Sequence, residues 1–244
     1  MTDLVPWGFA LVALLAFTVQ TAVGFASTLI CVTLGAHLMP IRHVVALAVV
    51  LSFVQTAYVV VRHRDGVQWK LLLLRILPLM GIGALLGYLV VREVAAAWVE
   101  HAFAAMVTAL SARELHRLVR EPGRRAPLSR LASSAIVFAA GVVHGAYATG
   151  GPPLVYAVGR ELEKRELRST LSVVWLVMDG ALAASFALDG FYTPANLEPL
   201  LLVPIALPLG VVLGELVHRK VPEHRFKQAL FALLFFAALS LFFR

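Results

Sequence analysis

The sequence predicts an all-α polytopic membrane protein: two inverted-topology repeats, each a broken or re-entrant helical hairpin followed by three transmembrane helices. Three observations carry this. Of the 244 residues, 60% are hydrophobic and only 14% charged, where a soluble domain carries roughly 25% charged residues. Two uncharged runs are too long for one crossing and are interrupted by residues that break helices. Finally, segments 127 residues apart match in sequence. Nothing is left over for a soluble catalytic domain.

The first uncharged run, 4–41, would be about 57 Å long as a single helix, against a hydrocarbon core of about 30 Å. It must break, and Gln20-Thr21-Ala22-Val23-Gly24-Phe25 is the predicted place. Three ordinary spans follow at 44–61, 71–91 and 94–112. The second run, 131–159, would span about 44 Å. It is interrupted by Thr149-Gly150-Gly151-Pro152-Pro153, where glycine is costly and proline removes a donor and clashes with the preceding turn. The expected break is 149–151, with a new helix starting at Pro152, since proline is at home in a first turn. Spans at 169–188, 199–217 and 226–243 complete the second half.

The halves match directly. Gly83-Ala-Leu-Leu-Gly-Tyr-Leu-Val-Val-Arg-Glu-Val94 overlays Gly210-Val-Val-Leu-Gly-Glu-Leu-Val-His-Arg-Lys-Val221 with seven identities in twelve. The same offset lays Gly24 on Gly151, so one register is expected to join both breaks and both GxxxG segments. The domains are then a first transmembrane repeat (1–118), a cytoplasmic basic linker (119–130) and a second repeat (131–244). If each broken run enters and leaves on one side, 17 of the 21 Lys and Arg fall on cytoplasmic segments, as the positive-inside rule requires. This favours inverted over parallel repeats and predicts both termini outside. The formal charge of +7 has the same origin. Because the basic residues lie in separate loops rather than one patch, nucleic acid is not an expected partner. The single cysteine, Cys31, allows no internal disulfide and no multi-Cys metal site. No metal and no cofactor are expected.

Two unwound segments approaching from opposite faces would meet near the midplane, where transporters built from inverted repeats hold their substrates. A helix start there offers amides and the positive end of a dipole to an anion. The candidate substrate-binding residues are Gln20, Thr21, Gly24 and Phe25 at the first apex, and Thr149, Gly150, Gly151 and Pro152 at the second. His144, Tyr147 and Tyr156 lie within two turns of the second apex; Ser27 and Thr28 are weaker candidates. Asp179 lies deep in a span, where an ionisable side chain signals function by default. It is the candidate for a coupling proton or cation, or a partner for His144. Its counterpart at the 127-residue offset is Ser52.

Gln20-Thr21-x-x-Gly24-Phe25, Thr149-Gly150-Gly151-Pro152-Pro153-Leu154-x-Tyr156 and Arg168-Ser169-Thr170 together make the chain similar to the sulfite exporter TauE/SafE family of membrane transporters. The resemblance covers essentially the whole length; Ala26 stands where many relatives carry a second glycine. It implies movement of small sulfur-containing anions, sulfite or organosulfonates, across the bacterial inner membrane. The residues alone support a transporter for a small anion, with the bilayer and that anion as partners and homodimerisation left open. An anion channel and a non-transporting scaffold are the alternatives. An intramembrane enzyme using His144, Tyr147 and Asp179 is disfavoured, since neither an HExxH motif nor a nucleophile elbow is present.

Overall fold

The structure, a computed structural model, describes residues 4–23, 26–120, 128–159 and 161–243. Among them there are helices and turns but no strand. The helices are α1 (Val5–Val23), α2 (Ser27–Gly35), α3 (Ile41–His63), α4 (Trp69–Glu93), α5 (Ala96–Arg120), α6 (Arg130–Tyr147), α7 (Gly151–Val158), α8 (Lys164–Leu188), α9 (Val203–Lys220) and α10 (Glu223–Ser240).

Both long apolar runs break, each close to its expected place. In the second, α6 ends at Tyr147 and α7 begins at Gly151, so the break is 148–150 and the restart comes one residue before Pro152. In the first, α1 continues through Gln20 and Thr21 to Val23. Gly24 and Phe25, expected at the apex, lie outside the described residues. The expected single register does not hold either. α2 starts at Ser27 and α7 at Gly151, 124 residues on, whereas the GxxxG segments sit 127 apart.

Among the described residues, five segments are long and apolar enough to cross a bilayer: Val5–Ala22, Ile41–Tyr58, Trp69–Glu93, Arg165–Leu188 and Pro194–Val217. The spans expected at 94–112 and 226–243 are not among them. α5 carries Glu100 and His101 in its second turn, and the apolar part of α10, Gln228–Phe243, is short. Inside α4, Leu72–Ile76 is π-helical and the Leu77 N–H bonds to the Leu72 carbonyl. Pro78 follows directly; having no N–H, it cannot donate four residues back, and a widened turn accommodates the loss.

The packing is pairwise. α3 lies along α8, α1 along α9, α4 along α6, and α5 along α10. α3 is the most enclosed span, with Val44 to Val49 buried, whereas α4 and α9 expose Leu85, Leu89, Leu209 and Leu213, as suits helices facing lipid. Two crossings are close because glycines allow it. A Cβ at Gly87 would lie 2.0 Å from the Val142 carbonyl oxygen, and one at Gly145 would lie 1.9 Å from that of Ala84. On the α1–α9 pair a Cβ at Gly214 would meet the Thr18 carbonyl oxygen and the Thr21 Cβ at 2.6 Å. The linker expected at 119–130 begins inside α5, which runs to Arg120; residues 121–127 lie outside the described residues.

Candidate functional site

α1–α2 and α6–α7 turn back toward the α3–α8 pair, and between them lies a pocket. Its walls are Gln20, Ala26, Ser27, Thr28 and Leu29 from the first broken run, Thr149, Gly151 and Pro152 from the second, and Ser52 and Trp175 from α3 and α8. Its volume is about 10 Å³, room for a single water.

Each turn is made by an alanine in the left-handed region: Ala26 has φ 85° and Ala148 φ 55°. That conformation favours glycine over any residue with a Cβ, so both alanines hold strained backbone. The first turn is secured by a side chain. Gln20, buried in the last turn of α1, accepts through Oε1 a hydrogen bond of 3.1 Å from the Ser27 N–H. One of the donors that a helix start leaves unused is thereby satisfied, and those at 28 and 29 remain for the pocket end of α2. The second turn is secured by close approach: a Cβ on Gly150 would stand 2.4 Å from the Ala140 carbonyl oxygen. Because Pro152 and Pro153 occupy the second and third positions of α7, its first turn has only the Gly151 N–H to offer. The cradle of amides expected at this end is therefore smaller than a proline-free start would give.

Polar groups without partners converge here. The Thr149 hydroxyl is buried with no hydrogen-bond partner, a state costing about 1–3 kcal/mol unless something occupies the pocket. Behind Trp175, the buried Asp179 accepts through Oδ2 a 2.5 Å hydrogen bond from the Ser52 hydroxyl. Its other oxygen, Oδ1, lies 3.3 Å from His144 Nε2 but off the axis for a hydrogen bond, so Oδ1 and both ring nitrogens stay without a hydrogen-bond partner. The His144 ring stacks on Trp175 with centroids 5.7 Å apart.

Of the residues singled out from sequence, Gln20, Thr149, Gly151 and Pro152 line the pocket, as do the weaker candidates Ser27 and Thr28 and the Asp179 counterpart Ser52. His144 and Asp179 stand one layer behind it, reached through Trp175 and Ser52. Gly150 shapes the turn. Thr21 faces elsewhere: it accepts a long 3.5 Å hydrogen bond from Gln55 and packs beside Gly214. Tyr147 packs on Phe103, ring centroids 5.1 Å apart, and Tyr156 lies under the Arg113 guanidinium at 4.5 Å; neither lines the pocket. Sequence reasoning missed Trp175. A tryptophan one helical turn before a buried aspartate, on the same face, was the signal that could have found it.

Comparisons with known proteins identify the family of the chain. The family described as Sulfite exporter TauE/SafE matches residues 9–241. The chain is also similar to a protein of Comamonas testosteroni described as "Probable inner membrane transporter protein TsaS". The two are 31% identical over 175 residues, covering 68% of this chain and 69% of the relative. No solved structure matches.

Proposed function

We propose, for a chain that belongs to the sulfite exporter TauE/SafE family and is a multi-pass membrane transporter, that it is a secondary transporter carrying a small sulfur-containing anion through the pocket between its two broken helices. The observation that carries this reading is the meeting of Ser27, Thr149 and Gly151 around one pocket, with the hydroxyl of Thr149 buried and without a hydrogen-bond partner. An oxyanion there would accept from the Thr149 hydroxyl, the Gly151 N–H and the first-turn amides of α2. No fixed positive charge is needed, because amides and helix ends supply partial ones.

The inverted-repeat reading is supported by the packing. A two-fold relation between the halves at the 127-residue offset turns an α1–α9 contact into an α6–α4 contact, and helices beside the axis meet their own counterparts, α3 with α8 and α5 with α10. Those are the pairs in contact. The Lys and Arg distribution is what favours an inverted two-fold. Residues on such an axis touch their equivalents, as Ser52 and Asp179 do. With that symmetry, rocking one half against the other exposes the pocket to alternate sides. A 10 Å³ pocket is too small for sulfite, so this conformation is closed at the midplane, which favours a carrier over an open channel. Asp179 and His144 leave room for one proton between them. A proton carried with the anion offsets its charge during the crossing.

Counterflow of radiolabelled sulfite into proteoliposomes tests the proposal. We expect saturable exchange that drops severalfold in Thr149→Val while the melting temperature does not fall, because the substitution removes a buried hydroxyl that has no hydrogen-bond partner. Absence of any anion-dependent exchange, or exchange untouched by Thr149→Val, overturns it.

A further inference from the structure

A second cavity, of about 170 Å³, lies where α3 begins and α4 ends. Most of its wall is apolar: Ile41, Val45, Val91, Val99 and Phe186. Its charged lining is Arg42, Arg92 and Glu100. Asp189, just past the end of α8, sits between the two guanidiniums, 3.6 Å from Arg42 and 3.2 Å from Arg92. The Tyr88 hydroxyl donates to Asp189 at 2.6 Å. One carboxylate is thus shared by two guanidiniums, each with five N–H donors. The Arg42 contact is longer than a hydrogen bond, and the two arginine side chains are 58% and 41% exposed. Much of their donor capacity is therefore left over at the cavity wall that both line.

We propose that this cavity binds a monovalent organic anion, with its acidic head on Arg42 and Arg92 and its apolar body in the chamber between Ile41, Val91 and Phe186. Size sets the class: an apolar cavity of about 150 Å³ holds a benzene ring, so the chamber takes a body of up to about that size. Charge narrows it. Glu100 and Asp189 oppose the two arginines, so a divalent anion meets more repulsion than a monovalent one, and a small inorganic anion leaves the apolar wall bare. The inner end of the cavity is Gly145 and Ala146, in the last turn of α6 immediately before the break at 148–150. A bound anion therefore waits beside the segment that also walls the smaller pocket. The site stands whether or not that pocket carries the substrate.

Calorimetric titration of the full-length protein in phosphatidylcholine nanodiscs tests this, with methanesulfonate, butanesulfonate, benzenesulfonate and sulfate as probes. Affinity should rise about fourfold per methylene buried, and sulfate should bind weakest. Arg42→Gln and Arg92→Gln should each weaken benzenesulfonate at least fivefold, Asp189→Asn should tighten it, and Thr149→Val should leave it unchanged. Equal affinity along the series, or indifference to both arginine variants, overturns the assignment. Loss on Thr149→Val with the arginine variants silent would move the ligand to the smaller pocket, sinking this proposal and sparing the transport reading. Affinity abolished by adding phosphatidylglycerol would give the cavity to lipid and likewise overturn it.

Discussion

The two broken runs reach the same pocket by different means. The first is held by a side chain: Gln20 reaches across the turn to the Ser27 N–H, and the helix beyond it starts with a full set of amides. The second is held by backbone contact, with Gly150 against Ala140 and Gly145 against Ala84, and its helix starts with two prolines that have no N–H to give. The first break therefore supplies donors, and the second supplies rigidity and one bare hydroxyl. An anion site needs both, since amides bind well only where something holds them in place.

The largest effect should separate the two helix crossings that support these breaks. Gly145→Val drives a side chain into the Ala84 carbonyl, where even a Cβ would stand at 1.9 Å, and should abolish a monodisperse peak in size-exclusion chromatography. Gly210→Ala meets the Phe17 Cβ at 2.7 Å and the Leu14 carbonyl oxygen at 3.0 Å, so α1 and α9 must part slightly; it should lower the melting temperature while the monodisperse peak survives. Equal tolerance at the two positions would erase the contrast.

Next come the breaks themselves. Thr149→Val should cut exchange severalfold without lowering the melting temperature, which should hold or rise as the unpartnered hydroxyl is removed. Gln20→Leu strands the Ser27 N–H and should destabilise the protein by about 1–3 kcal/mol, so exchange and stability fall together. If Gln20→Leu lost exchange at full stability, Gln20 would be a ligand rather than a brace. Asp179→Asn sharpens the division further. It should abolish accumulation driven by a proton gradient while leaving gradient-free counterflow within a fewfold of normal; loss of both in a stable protein would make Asp179 part of the anion site.

The smallest expected effect lies outside the breaks. The Tyr88 hydroxyl, and then the Arg92 and Arg42 charges, hold the Asp189 carboxylate below its ordinary value of 3.8. A depressed acid contributes stability that is fully present above the unfolded value and fades as pH falls through the folded one. The difference in melting temperature between the native chain and Asp189→Asn should therefore be flat from pH 8 to about 5 and shrink below about pH 4. A difference that changes near pH 6 would point to another group.

Much of this architecture was legible in the sequence because membranes restrict backbone so severely. An uncharged run about one and a half times the needed length, broken by Gly150-Gly151-Pro152-Pro153, has few folds open to it. Legibility failed where three-dimensional neighbours decide. Trp175 reaches the pocket because α8 packs on α3, not because of its own surroundings in the chain. Tyr147 and Tyr156 sit close to the break in sequence, but helix rotation turns them toward Phe103 and Arg113. The 127-residue register, sound for the GxxxG segments, slips to 124 at the helix starts, so the apex residues could not be paired by arithmetic. Neither alanine announced a left-handed turn, since a glycine would have been expected in each place. Nothing near Arg42 in the sequence pointed to its ion pair, because Asp189 lies far along the chain.

The most direct measurement is the position of selenite, a heavier analogue of sulfite, located by anomalous scattering in crystals grown with saturating ligand. The account predicts one strong peak within hydrogen-bonding distance of the Thr149 hydroxyl and the start of α2. A peak lying elsewhere, with the space between Ser27 and Gly151 still empty, would contradict it.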